Sequence, residues 1–107
     1  MLAEVFALYA NDGVRMTLKS MKIWTTPDNY DRYNLSNKED QFKKNMSGGF
    51  DGDIAHLISF DGGGGMAYLD VLCNKAYAVG VSGLDDTYKM APTFSWTIEV
   101  LAHEFGH

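Results

Sequence analysis

His103 and His107 stand four residues apart with Glu104 directly after the first of them, in the order H-E-x-x-H, at the end of a 107-residue sequence. On a helix, residues four apart lie one above the other about 6 Å along the axis, so both imidazoles can reach one metal ion. Imidazole suits zinc, and a catalytic zinc site keeps one coordination position for water. Bound zinc lowers the pKa of that water to about 7, and a neighbouring carboxylate can take its proton as the water attacks a polarised carbonyl. Glu104 is the residue placed to act as that general base and then to return the proton to a leaving amine. The pentapeptide is rare by chance, which favours the metal reading over an amphipathic helix that happens to show two histidines.

Other residues of reactive type carry less. The run Gly62 to Gly65 lacks the Lys-Ser/Thr of a phosphate-binding loop and is not followed by a helical pattern, so it reads as a flexible loop. Asp51, Asp53 and Asp61 do not have the spacing of a calcium loop and read as solvated loop aspartates. His56 lies inside an apolar run, where a hydrogen-bonded core histidine is the expectation rather than a metal ligand. Glu99, one turn before His103, is expected to favour the helix N-terminus more than to orient the imidazole. Cys73 is the one cysteine and has no internal disulfide partner.

The elements that must position these residues follow from periodicity and punctuation. Leu2, Val5, Phe6 and Tyr9 fall at helical spacing, and Asn11-Asp12-Gly13 stops that helix. From Val14 to Trp24 apolar residues alternate, with a slip near Ser20, which predicts a strand with a bulge closed by Thr26-Pro27-Asp28-Asn29. A polar loop then leads to Ser36-Asn37-Lys38-Glu39, the spacing of a capping box and a short helix. Ile54 to Phe60 is almost continuously apolar and is the expected centre of the sheet. Met66 to Leu72 and Tyr77 to Val81 read as two further strands, Ser82 to Thr93 as a loop, and Phe94 to His107 as the helix that carries the motif, with Ser95 as N-cap. Trp96, Val100 and Leu101, like Ile23 and Trp24, read as packing residues. Strands mixed with helices in this order make an α/β layer.

Composition bounds the rest. A chain of 107 residues is one domain or part of one, and 46% hydrophobic residues suffice for a core. A formal net charge of -5 has the wrong sign for gathering phosphates, so nucleic acid is not an expected partner. No apolar run approaches the roughly 20 residues that span a bilayer, and no address signal is seen.

The segments Asp53-Ile54-Ala55-His56-Leu57-Ile58-Ser59, Gly65-Met66-Ala67-Tyr68-Leu69, Cys73, Tyr77-Ala78-Val79-Gly80-Val81 and His103 to His107 resemble, in order and spacing, the reprolysin-type (adamalysin-like) metalloproteases of the metzincin clan. The likeness is close after Asp51 and looser before it. It implies a zinc endopeptidase acting on polypeptides, with the α/β fold of a metzincin-like upper subdomain: a mixed twisted sheet, an antiparallel edge strand and an active-site helix. It implies that His103 and His107 are zinc ligands and Glu104 the catalytic base, with a third histidine six residues beyond the second. Those positions lie past His107, so residues 1–107 are expected to be a partial catalytic domain that lacks the lower subdomain, binds zinc weakly by itself and has little activity. Gly65, Met66, Ala67, Tyr68 and Leu69 are implied to form the edge along which an extended substrate pairs, an edge strand offering free N–H and C=O groups to a peptide. Cys73 matches a family cysteine bonded to one further along, which implies a secreted, oxidising setting and a free thiol here. Two alternatives stay open: another H-E-x-x-H hydrolase whose third ligand is a glutamate, and a non-catalytic metal-binding or interaction domain of the same fold. Oligomeric state is left open.

Overall fold

The computed structural model describes residues 1–47, 49–60, 63–84 and 95–107. In chain order it forms α1 (Leu2–Asn11), α2 (Leu35–Met46), β1 (Ala55–Ser59), β2 (Gly64–Ala67), β3 (Val79–Gly83) and α3 (Trp96–Gly106). The three strands make one sheet in the order β1-β3-β2. β1 runs parallel to β3, with His56 beside Gly80, and β2 runs antiparallel to it, with Gly65 beside Ser82. The expected α/β class and antiparallel edge strand are therefore present.

Side-chain alternation divides the sheet between two cores. On one face, Val5 of α1 and Val100 and Leu101 of α3 pack with Leu84, and Ile58 of β1 joins them. On the other, Phe42 of α2 packs with Leu57, Val79 and Val81. His56, Gly80 and Ser82 thus fall on the α3 face, opposite α2. β3 is buried along its whole length, so the sheet centre is β3 and not the Ile54–Phe60 run, which supplies an outer strand.

Strand boundaries move for identifiable reasons. Gly64 and Gly65, read as loop, belong to β2, because a glycine run extends as readily as it turns once a ladder partner is available. β2 ends at Ala67 rather than Leu72: Asp70 takes a positive φ of 54° and donates its N–H to the His107 carbonyl at 3.0 Å, away from the sheet. Tyr77 and Ala78 donate their N–H groups to the Asn74 carbonyl in a turn, so β3 starts at Val79 and takes in Ser82 and Gly83.

The expected strand from Val14 to Trp24 does not form. Most of its alternating residues are exposed, Met21 at 61% and Ile23 at 75%, so Ile23 is not a packing residue, whereas the Trp24 ring, though partly exposed, packs edge-on against Tyr30 with centroids 5.9 Å apart. Alternation marks competence to pair, and among the described residues no strand pairs with this segment.

The helices follow the sequence more closely. α1 closes at Asp12 and Gly13, whose N–H groups reach the Tyr9 and Ala10 carbonyls at 3.0 Å each. α2 begins before the expected box, because the Asn34 side chain accepts the Asn37 N–H at 3.0 Å and takes the N-cap position from Ser36. Asp31 prepares that cap by accepting the N–H groups of Tyr33 and Asn34, and those bonds hold its carboxyl below the usual carboxylate range. In α3, Ser95 occupies the N-cap position, yet its hydroxyl is buried without a partner and caps nothing. Val100 and Leu101 are buried as expected, whereas Trp96 stays 38% exposed. Phe94, the expected loop over residues 85–93 and the loop residues Asp61 and Gly62 lie outside the described residues. Among the described residues no helix is long and apolar enough to cross a membrane.

Candidate active site

α3 lies against β2 and β3, its Val100 and Leu101 pack with Val5 and Leu84, and α1 ties it down where the Tyr9 hydroxyl donates to the Ala102 carbonyl at 2.5 Å. Burial raises the Tyr9 pKa, in keeping with a phenol that stays a donor. This anchoring leaves the last turn of α3 to present its polar residues in two directions.

His103 and His107 face outward and are exposed. Their Nε2 atoms are 3.0 Å apart, with the rings nearly perpendicular at 88°. One neutral ring can donate to the other at this distance, and the same convergence is what two imidazoles sharing a cation require. The pair therefore fits a metal ion as two nitrogen donors. Among the described residues no cluster of three or more His, Cys, Asp or Glu side chains is arranged to hold one.

Glu104 turns the other way. It is 7% exposed and its Oε2 has no hydrogen-bond partner. Burial raises its pKa, while His103 and His107 nearby act to lower it. The carboxylate lies against Gly65 so closely that a Cβ there would come within 2.6 Å of Glu104 Cδ, and nearer still to Cγ and Oε1. Gly65 is thus required by close approach, a reason that a reading of the glycine run as a loop does not contain.

A second carboxylate was not anticipated. Glu39 of α2 is 5% exposed, its Oε1 has no partner, and burial raises its pKa, helped by Asp40 and Glu104 and opposed by Lys43. Beside it the Lys38 ammonium donates to Ser59 Oγ at 2.8 Å. In the sequence both sit in a polar helix, and nothing local distinguishes them from solvent-facing residues.

Of the residues assigned to substrate, Gly65, Met66 and Ala67 lie on β2, which pairs only with β3 among the described residues. Tyr68 and Leu69 follow the strand instead of extending it. The Tyr68 hydroxyl donates to Asp40 Oδ1 at 3.4 Å, and its ring meets Tyr77 edge-on with the Lys43 ammonium over both. Leu69 is exposed.

His56 is the hydrogen-bonded core histidine expected, its Nε2 2.8 Å from Ser82 Oγ, and burial pushes its pKa down to about 4. Glu99 lies exposed in the first turn of α3, where a carboxylate favours the helix N-terminus. Asp51 makes an exposed ion pair with Lys19 at 3.5 Å, Asp53 is exposed, and Asp61 lies outside the described residues. Cys73 is a free, exposed thiol.

A family model described as metallo-peptidase family M12B, Reprolysin-like, matches residues 2–107. No curated protein and no solved structure matches the chain.

Proposed function

The chain belongs to the M12B reprolysin-like metallopeptidases, and on that premise we propose that residues 1–107 are the part of a zinc endopeptidase's catalytic domain that carries the metal-binding helix and the substrate-binding edge. His103 and His107 would hold the metal through Nε2, and the observation that carries this reading is the 3.0 Å convergence of those two atoms beside a buried carboxylate with an unpartnered oxygen. When bound, zinc supplies Lewis acidity and an acidified water. Glu104 takes the proton at Oε2 and passes it to the leaving amine, and burial, by raising its pKa, suits it to hold that proton between the two transfers.

The edge of β2 that pairs with no strand among the described residues binds the polypeptide. Gly65, Met66 and Ala67 offer main-chain groups to an extended segment, an interaction that demands little of the substrate's sequence, and Tyr68 and Leu69 flank its end. Two imidazoles make a weaker zinc site than three fixed ligands, so a third ligand outside residues 1–107 belongs to the same proposal. So does a secreted setting, in which the exposed Cys73 is available to pair with a cysteine elsewhere in the protein.

The test is to purify the intact protein, measure its zinc content, and follow cleavage of an unstructured polypeptide. Glu104→Gln is expected to keep its zinc and lose about 100-fold or more in kcat, while His103→Ala loses zinc. Cleavage by metal-free protein, or by Glu104→Gln at the wild-type rate, overturns the mechanism. Zinc uptake without cleavage in either form identifies a non-catalytic binding domain instead.

A further inference from the structure

Behind the metal-binding helix, on the α3 face of the sheet, His56, Ser82 and Phe105 form a unit that the mechanism above does not use. His56 Nε2 and Ser82 Oγ are 2.8 Å apart, and Ser82 is 1% exposed. The His56 ring meets the Phe105 ring edge-on, with centroids 4.7 Å apart and planes at 69°. Bare backbone lies beneath it: a Cβ at Gly80, the register partner of His56 on β3, would come within 2.9 Å of Cε1 and Nδ1. Nδ1 is itself buried with no hydrogen-bond partner.

An apolar side chain would fill this space without leaving a buried nitrogen unsatisfied, so packing alone does not account for an imidazole here. Its neighbours do account for it. Ser82 is the register partner of Gly65, the residue whose missing side chain makes room for Glu104. Phe105 follows Glu104 in the last turn of α3. His56 therefore grips the surroundings of the base from two sides, from the sheet through Ser82 and from the helix through Phe105.

We propose that His56 is a positioning residue: with Ser82 it pins the Phe105 ring, and through it the last turn of α3, so that the Glu104 carboxylate stays seated over Gly65. The inference rests on the reading of Glu104 as the base. Misplacing a catalytic group by about 1 Å can cost on the order of 100-fold in rate, so a partial loosening is expected to be visible in turnover.

In the intact, zinc-loaded protein, Ser82→Ala removes one oxygen atom and His56→Leu removes both the hydrogen bond and the ring contact. Each is expected to lower kcat about tenfold or more, with KM and zinc affinity unchanged, because the group affected acts in the transition state. Ser82→Ala is expected to add nothing in the His56→Leu background, since the two residues act through one bond. A second readout is independent of turnover: the side-chain NMR resonances of Glu104 and Phe105 should move in both variants, while those of Phe42 on the opposite face stay in place. Should Glu104→Gln prove as active as wild type, the proposed function fails, and the NMR comparison still decides whether His56 holds the last turn of α3. Folded variants with wild-type kcat, losses confined to KM or zinc content, or unmoved Glu104 resonances overturn the proposal. If His56→Leu does not fold, Ser82→Ala alone decides it.

Discussion

Gly65 and Glu104 show how an absent side chain sets the place of a charged one. Gly65→Ala would put its methyl group into the Glu104 carboxylate. Overpacking of this kind typically costs about 1–3 kcal/mol, so a lower urea midpoint is expected for the variant. Shortening the partner should relieve the clash, and in a Glu104→Ala background most of that loss is expected to vanish, a coupling that a double-mutant cycle in urea measures directly. His56 makes a pH-dependent prediction. Its folded pKa lies at about 4 against an ordinary 6.5, so between those values the unfolded chain binds a proton that the folded chain refuses. The stabilisation it provides is therefore complete above pH 6.5 and drains away as pH falls toward 4, in total by about 3 kcal/mol. Glu39 and Glu104, raised by burial, act in the opposite sense and gain stability as pH falls. The difference between wild type and His56→Leu in urea denaturation across that range isolates the histidine, and a difference independent of pH would refute the assignment. The convergence of His103 and His107 was legible in the sequence because four-residue spacing on a helix is local geometry. Glu39 and Ser82 were not legible as neighbours of the site, nor was the close approach of Gly65 to Glu104, because these contacts arise through sheet register and helix packing across more than twenty residues of sequence.

At the scale of elements, what the sequence disclosed depended on whether an element closes its own hydrogen bonds. α1 and α3 were legible because a helix satisfies its backbone internally and shows an apolar stripe. α2 was legible in kind but displaced at its start. The Ser36 to Glu39 box matches the pattern, yet Asn34 reaches the Asn37 N–H after Asp31 has turned the chain, and the earlier cap adds two residues before the box's serine and glutamate can act. Asn34→Ala is therefore expected to destabilise the protein by about 1 kcal/mol, and Ser36→Ala by no more than about 0.5 kcal/mol. Chemical denaturation of the two variants separates the alternatives, and a larger loss at Ser36 would return the cap to the box. Strands depend on partners, and partners set where β2 begins and ends. Gly64 and Gly65 have no sequence signal for a strand, but β3 offers them a ladder. Met66 to Leu72 has the signal, but the Asp70 N–H is drawn to the His107 carbonyl and the strand stops early. That same bond couples the end of the proposed substrate edge to the end of the proposed metal-binding helix.

For the molecule as a whole, the three strands among the described residues carry two separate cores, one with Val79 and Val81 of β3 and the other with Leu84 directly after that strand. Leu101 and Leu57 lie on opposite faces, at 0% and 4% exposure, and neither core touches solvent over much of its area. Truncating either residue to alanine is expected to cost about 2–5 kcal/mol. Both variants should shift one common unfolding transition, since the shared central strand cannot lose one face and keep the other. Ile23, 75% exposed in the segment from Val14 to Trp24, provides the contrast. Its side chain is already in water when the protein is folded, so Ile23→Ser should change stability by no more than about 0.5 kcal/mol. The alternation of that segment makes this a demanding comparison, because an alternating apolar run is the pattern of a half-buried strand. Equal losses for Ile23→Ser and Leu101→Ala in the same denaturation experiment would mean that Val14–Trp24 is buried against the sheet and that the order β1-β3-β2 omits a strand beside β1. A near-zero loss for Ile23→Ser, with large losses for Leu57→Ala and Leu101→Ala, is what an outer β1 and a solvent-facing Val14–Trp24 segment require.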